Sequence, residues 1–205
     1  MRDNELAKSL VESIGSSELS GIAAMGLDAL VNSGVSVFGN LRSLFSLSDN
    51  ITNYLYARKL EEFFRGVSDI PKEERQKQCA KLLVSEKERI RVGEFLLLLL
   101  DKLDDIAKAE LVSKVFVAYL RERISQDEMR LMARAINLLD IKHLQGGLGK
   151  DFDTMQALAM CGLARIEVGD SPPKNPPGMG LDGIEAIIVY KVNALGETLA
   201  SILSE

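Results

Sequence analysis

A chain of 205 residues can hold one substantial core, or a larger domain with a small one appended. Apolar residues at 46% exclude a disordered chain, and the absence of tryptophan with only 5% aromatics favours helix over sheet. A net charge of −5 weighs against general nucleic-acid binding, which needs cations to displace phosphate counterions, yet it leaves room for a local basic patch.

The first segment, Asn4 to Ile14, carries Leu6, Leu10, Val11 and Ile14 at helical spacing and is predicted to be a short amphipathic helix ended by Gly15. Leu19 to Leu47 is apolar and rich in glycine (Gly21, Gly26, Gly34, Gly39), with Asp28 and Arg42 its two charges. Each glycine costs about 0.8–1.0 kcal/mol in a helix relative to alanine, so this stretch needs cover from its own bundle, a second copy or lipid. Missing anchoring cations favour the first of these over lipid, and Val35 and Leu44 are its candidate contact residues.

From Ser48 or Asp49, either able to cap, a helix runs through Ile51, Tyr54, Leu55, Phe63, Phe64 and Val67, loosened at its end by Gly66 and Asp69. Pro71 suits the first turn of the next helix, where Glu73 and Glu74 meet its positive dipole end. Ser85 with Glu88, and Ser125 with Glu128, have the spacing of capping boxes. Between them lie two helices separated near Asp104 and Asp105. The first is apolar all round from Phe95 to Leu100, which predicts enclosure on every side at the centre of a bundle. That run is also the longest unbroken apolar one, too short for the ~20 residues that cross a bilayer.

Beyond Ser125 the rhythm changes. A helix (Met129, Met132, Ala133, Ile136, Leu139) leads to a short one at Ile141 to Leu144 and a break at Gly146, Gly147 and Gly149. A helix from Asp153 to Cys161 stops at Gly162. A strand-like run, Leu163 to Val168, then precedes a Pro/Gly loop at 171–183, a second run from Ile184 to Val192 and a closing helix capped by Asn193.

The order helix, helix, helix, strand, long loop, strand, helix, with "MQALAMCGLARIEV" followed by "IIVYKVNALGETLASIL", resembles the back half of winged-helix domains in small bacterial regulators. Lys59 to Arg75 (KL..FF...SDIP.EER) is similar to a stretch in a family of bacterial helical proteins that brings no activity with it. The expected fold is therefore mainly α: a multi-helix bundle over 1–124 and a small winged-helix-like α/β module over 125–205.

Chemistry-bearing motifs are sparse. A phosphate loop would need glycine where Leu144 stands and Ser or Thr where Asp151 stands, so Gly146 to Asp151 is a turn. Asp101, Asp104 and Asp105 share helical spacing, and the expectation is that Asp105 caps the next helix while the others are solvated. His143 is the only histidine, which removes most acid–base schemes. Cys79 and Cys161 lack zinc spacing and suit a reducing compartment, and Cys161 at a helix C-terminus is a poor nucleophile. The helix at the place of a recognition helix brings Asp151 and Asp153, not the cations of a major-groove reader, so Met155, Gln156 and Met160 are assigned to protein contact.

The leading expectation is a non-enzymatic, cytoplasmic interaction or scaffolding protein, forming homo-oligomers, with no cofactor and no metal. The polar start (Arg2, Asp3, Asn4, Glu5) fits that compartment. The family likeness would place it in a stress, phage-defence or mobile-element system. A winged-helix DNA-binding regulator and a membrane-acting effector built on Leu19 to Leu47 stay open beside it.

Overall fold

The computed structural model describes residues 51–144, 148, 151–170 and 186–205. The segments 4–14 and 19–47, the Ser48/Asp49 cap, the glycines after Leu144, the Pro/Gly stretch 171–183 and the first two residues of the second run, 184–185, lie outside them. The described chain is mainly helical with one small antiparallel sheet. It divides into two compact units between Asn137 and Leu138.

In the first unit the helices are α1 (Ile51–Val67), α2 (Lys72–Leu82), α3 (Glu86–Lys102), α4 (Ala107–Leu120) and α5 (Gln126–Leu138), the last of which reaches the unit boundary. Their starts follow local chemistry. Ser85 Oγ accepts from Glu88 N–H at 3.2 Å while Ser85 N–H donates back to Glu88 Oε2, also at 3.2 Å. Ser125 and Glu128 repeat the box at 3.3 and 2.7 Å. Pro71 stands at the N-cap of α2, one place ahead of the first turn, with Glu73 and Glu74 behind it. Asp105 Oδ1 accepts from Ala107 N–H at 2.8 Å, opening α4.

The core forms where α1 runs along α4. Phe63 and Phe116 meet at 5.7 Å between ring centroids, with Phe64 edge-on to Phe63 at 5.5 Å and Tyr119 tilted against Phe116 at 6.1 Å. One turn along α1, Gly66 lets the two backbones close up: a Cβ there would stand 2.8 Å from Ser113 Cβ and nearer still to Ser113 Oγ. Gly66 is thus a crossing point, not a loosened end.

Helix α3 buries Leu96, Leu97, Leu99 and Leu100. It is not enclosed on every side, however, because Leu98 remains 45% exposed and Phe95 is half-buried. The leucine run is therefore one-sided, and its outer face belongs with Phe95. α5 joins this unit, not the next, since Arg130 and Arg134 of α5 stack on the Phe95 ring of α3.

Three buried cations hold helix ends. Arg75 Nη1 donates to Ile70 O at 2.8 Å and to Val67 O at 3.5 Å, just beyond α1. Lys59 Nζ donates to Asp101 O at 3.0 Å in the last turn of α3. Lys108 Nζ donates to Asn137 O at 3.2 Å near the end of α5 and pairs with Asp104 at 2.6 Å. The last carbonyls of a helix lack intrahelical donors and carry its negative dipole end, so an ammonium or guanidinium there satisfies a bond and a field together.

The second unit contains α6 (Ile141–Leu144), α7 (Phe152–Met160), β1 (Ala164–Asp170), β2 (Ala186–Val192) and α8 (Ala194–Leu203). β1 and β2 pair antiparallel from Ala164 opposite Val192 to Asp170 opposite Ala186. α7 packs against both strands and α8 against β2. Gly162 ends α7 at φ +75°, a left-handed turn in which Leu163 N–H reaches back to Leu158 O at 2.8 Å. Asn193 Oδ1 accepts from Gly196 N–H at 3.0 Å, the expected cap of the closing helix.

Candidate functional site

Along β1, side chains alternate between the two faces of the hairpin, and the pairing register sorts the partners on β2. One face carries Arg165 and Glu167 opposite Lys191 and Val189. Glu167 binds Arg165 Nε at 2.9 Å and Lys191 Nζ at 2.6 Å, which holds its carboxyl below the usual glutamate range. The other face carries Ala164 and Ile166 opposite Val192 and Tyr190, with Val168 further along β1. Ala164 is buried, and the Phe152 ring of α7 meets Tyr190 edge-on at 5.5 Å. Further out the cover stops: Ile166 is 60% exposed and Val168 73%. On the polar face one carboxylate is shared by two cations, while the apolar face is open.

α7 extends this surface. Phe152, Gln156 and Met160 stand four residues apart, and all three are exposed, Met160 at 82%. Their stripe joins the apolar hairpin face where Phe152 meets Tyr190. Of the residues assigned to contact from sequence, Gln156 and Met160 lie on the stripe. Met155 does not: at 8% exposure it points into the unit with Thr154 and Leu158, because residues 154, 155 and 158 form the buried face of α7. Val35 and Leu44 lie outside the described residues. Sequence reasoning missed Phe152, Ile166 and Val168. The alternation of Ile166 and Val168 with Arg165 and Glu167 held the signal, since it marks a strand with one apolar face.

The polar groups nearby serve the fold. Thr154 bridges Asp151 and His143: Asp151 Oδ1 accepts from Thr154 N–H at 2.9 Å, and Thr154 Oγ1 donates to Asp151 Oδ2 at 2.6 Å. The hydroxyl proton being committed, Thr154 Oγ1 accepts from His143 Nδ1–H at 2.7 Å, which fixes the ring's proton on Nδ1. This chain ties α6 to the start of α7, and the bond from the Thr154 hydroxyl leads the causes that depress the Asp151 carboxyl. Cys161, at the C-cap of α7, has its thiol pushed up by burial.

In the first unit, Lys59 has its ammonium pushed down by burial, partly offset by Asp101 and Asp104, and its proton bonds the Asp101 carbonyl. The Tyr56 phenol is driven well above its usual range by burial and then by Asp101, so it stays neutral. Asp104 is held below the ordinary carboxylate range, first by the hydrogen bond from Lys108. Thus Asp101, Asp104 and Asp105 are divided among separate structural tasks, with Asp105 as the expected cap. No group of three metal-ligating side chains exists among the described residues, and no described helix is long and apolar enough to cross a membrane.

Comparisons with models of protein families, with curated proteins and with solved structures return no match to this chain.

Proposed function

We propose that this chain works by binding protein, not by catalysis, and that it self-associates through the apolar hairpin face and the α7 stripe. One observation carries the reading: Ile166 and Val168 stand open on one face of a two-stranded ribbon whose other face carries the Arg165–Glu167–Lys191 ion pairs. Exposed β-branched side chains in a row, on a ribbon with two free edges among the described residues, cost free energy in water and recover it against a matching surface. A second copy presents the same ribbon, and a two-fold pairing lets each Ile166 and Val168 cover the other's.

The winged-helix-like arrangement of α7, β1, β2 and α8 belongs to this proposal as a protein-binding module. Asp151 and Asp153 at the start of α7 weigh against phosphate contact there. Light scattering tests the reading. The wild-type chain is expected to give a dimer or larger, and Val168→Asp to lower the mass while leaving the helical circular-dichroism signal intact. A monomeric wild type at tens of micromolar would overturn self-association.

A further inference from the structure

We propose that the face shared by α3 and α5 in the first unit is a docking site for an acidic amphipathic helix of a partner protein. This face belongs to the first unit and the hairpin to the second, and docking here does not depend on self-association. Arg91, Phe95 and Leu98 stand at helical spacing along the outer side of α3, and Arg130, Leu131 and Arg134 along that of α5. The guanidinium carbons of Arg130 and Arg134 lie 5.1 and 5.8 Å from the Phe95 ring centroid, and Arg130 also reaches the Arg91 carbonyl at 3.5 Å.

Two cations sharing one ring repel each other, yet no carboxylate among the described residues pairs with Arg91, Arg130 or Arg134. Glu94, the one acid between Arg91 and Leu98 on α3, is not within ion-pair distance of any of them. Glu88 and Glu128, at the starts of the same helices, are committed to their serine caps. In a chain with more acids than bases, three guanidiniums on one face without a carboxylate partner among the described residues favour the approach of an anion.

The neighbours of these arginines choose the class of anion. Leu98 and Leu131 are both about half exposed beside them, an apolar margin that a phosphate backbone would leave wet. Three cations are also few for a nucleic acid, which is held by a row of phosphate contacts, and few for a lipid surface facing a chain of net charge −5. A helix with a leucine stripe bordered by glutamates satisfies both parts. Its apolar side covers Leu98 and Leu131, and its carboxylates take the planar forks of the arginines bidentately. Stacking on Phe95 already fixes two of those forks, so little side-chain freedom is lost on binding.

The probe is a fluorescein-labelled helical peptide of about 18 residues, matching the ~25 Å length of α3 at 1.5 Å per residue. Leucines form one face and glutamates its margins, and a control peptide carries glutamine at every glutamate. Fluorescence anisotropy at physiological salt is expected to show the glutamate peptide binding roughly tenfold more tightly than the glutamine one. Arg134→Ala should weaken it about tenfold, and Arg134→Lys, which keeps the charge but not the fork, by less. Both variants alter a solvent-facing side chain, and Phe95→Leu provides a second route by removing the stacking platform alone. Val168→Asp should leave peptide binding unchanged, so failure here is separable from failure of self-association. Equal affinity for the two peptides, or indifference to Arg134→Ala, overturns the proposal. Arg134-dependent binding of phosphatidylserine vesicles or duplex DNA in place of the peptide also overturns it and reassigns the face.

Discussion

Replacing Gly66 with alanine sets two known effects against each other, and the structure says which one wins. In an exposed helix the change stabilises, by about 0.8–1.0 kcal/mol, because glycine is a poor helix former. At Gly66 the new Cβ would stand 2.8 Å from Ser113 Cβ and closer to Ser113 Oγ, inside the contact limit of real side chains. Ser113 cannot swing away freely, since it is fully buried and its hydroxyl bonds Glu110 O at 2.6 Å. Overpacking of this kind costs about 1–3 kcal/mol, so Gly66→Ala should destabilise by about 1 kcal/mol net. With a urea dependence of about 2 kcal/mol per molar, the midpoint should fall by about 0.5 M. Ser113→Gly removes the obstructing atoms, and the pair should be coupled: in a double-mutant cycle alanine at position 66 should be much less harmful, or favourable, beside Gly at 113. A higher midpoint for Gly66→Ala alone, or a cycle that is additive within about 0.3 kcal/mol, would refute the close crossing of α1 and α4.

Two further outcomes are expected. Leu100→Ala should cost about 2–5 kcal/mol in urea melts and Leu98→Ala less than about 0.5, because only the first is buried; similar losses for both would restore the fully enclosed α3. The Asp104 carboxyl has its folded pKa depressed by Lys108, so its contribution is present above the unfolded value near ~4 and is lost as pH falls through the folded one. The wild-type chain should therefore be more stable than Asp104→Asn at pH 7, with the gap closing toward pH 3; a gap independent of pH would show that the ion pair contributes nothing.

Much of the helical framework was legible in the sequence, because helix starts are settled by bonds that span three residues. The Ser85–Glu88 and Ser125–Glu128 boxes, the Asp105 cap and the Asn193 cap all occur where the spacing predicts them. The two strands and the short helix at Ile141 were likewise visible, as runs bounded by glycine and by caps. The candidate surface was legible only in part. Gln156 and Met160 face outward as expected, but Met155, about 100° round the helix from Gln156, turns inward.

What the sequence by itself determined is thus the set of elements and most of their limits, since these rest on neighbours within a turn. What only the tertiary structure decided is which face of each element finds cover. Six apolar residues in a row give α3 no preferred side, and Leu98 is left out because α5 meets α3 with arginines over Phe95 in place of more leucine. Lys59, Arg75 and Lys108 are each buried on a carbonyl at or near the end of a helix. For Lys59 and Lys108 that carbonyl lies 42 and 29 residues away, a distance at which no local spacing carries information. Burial of a charge depends on a partner brought by packing, and packing joins residues that the linear order keeps apart.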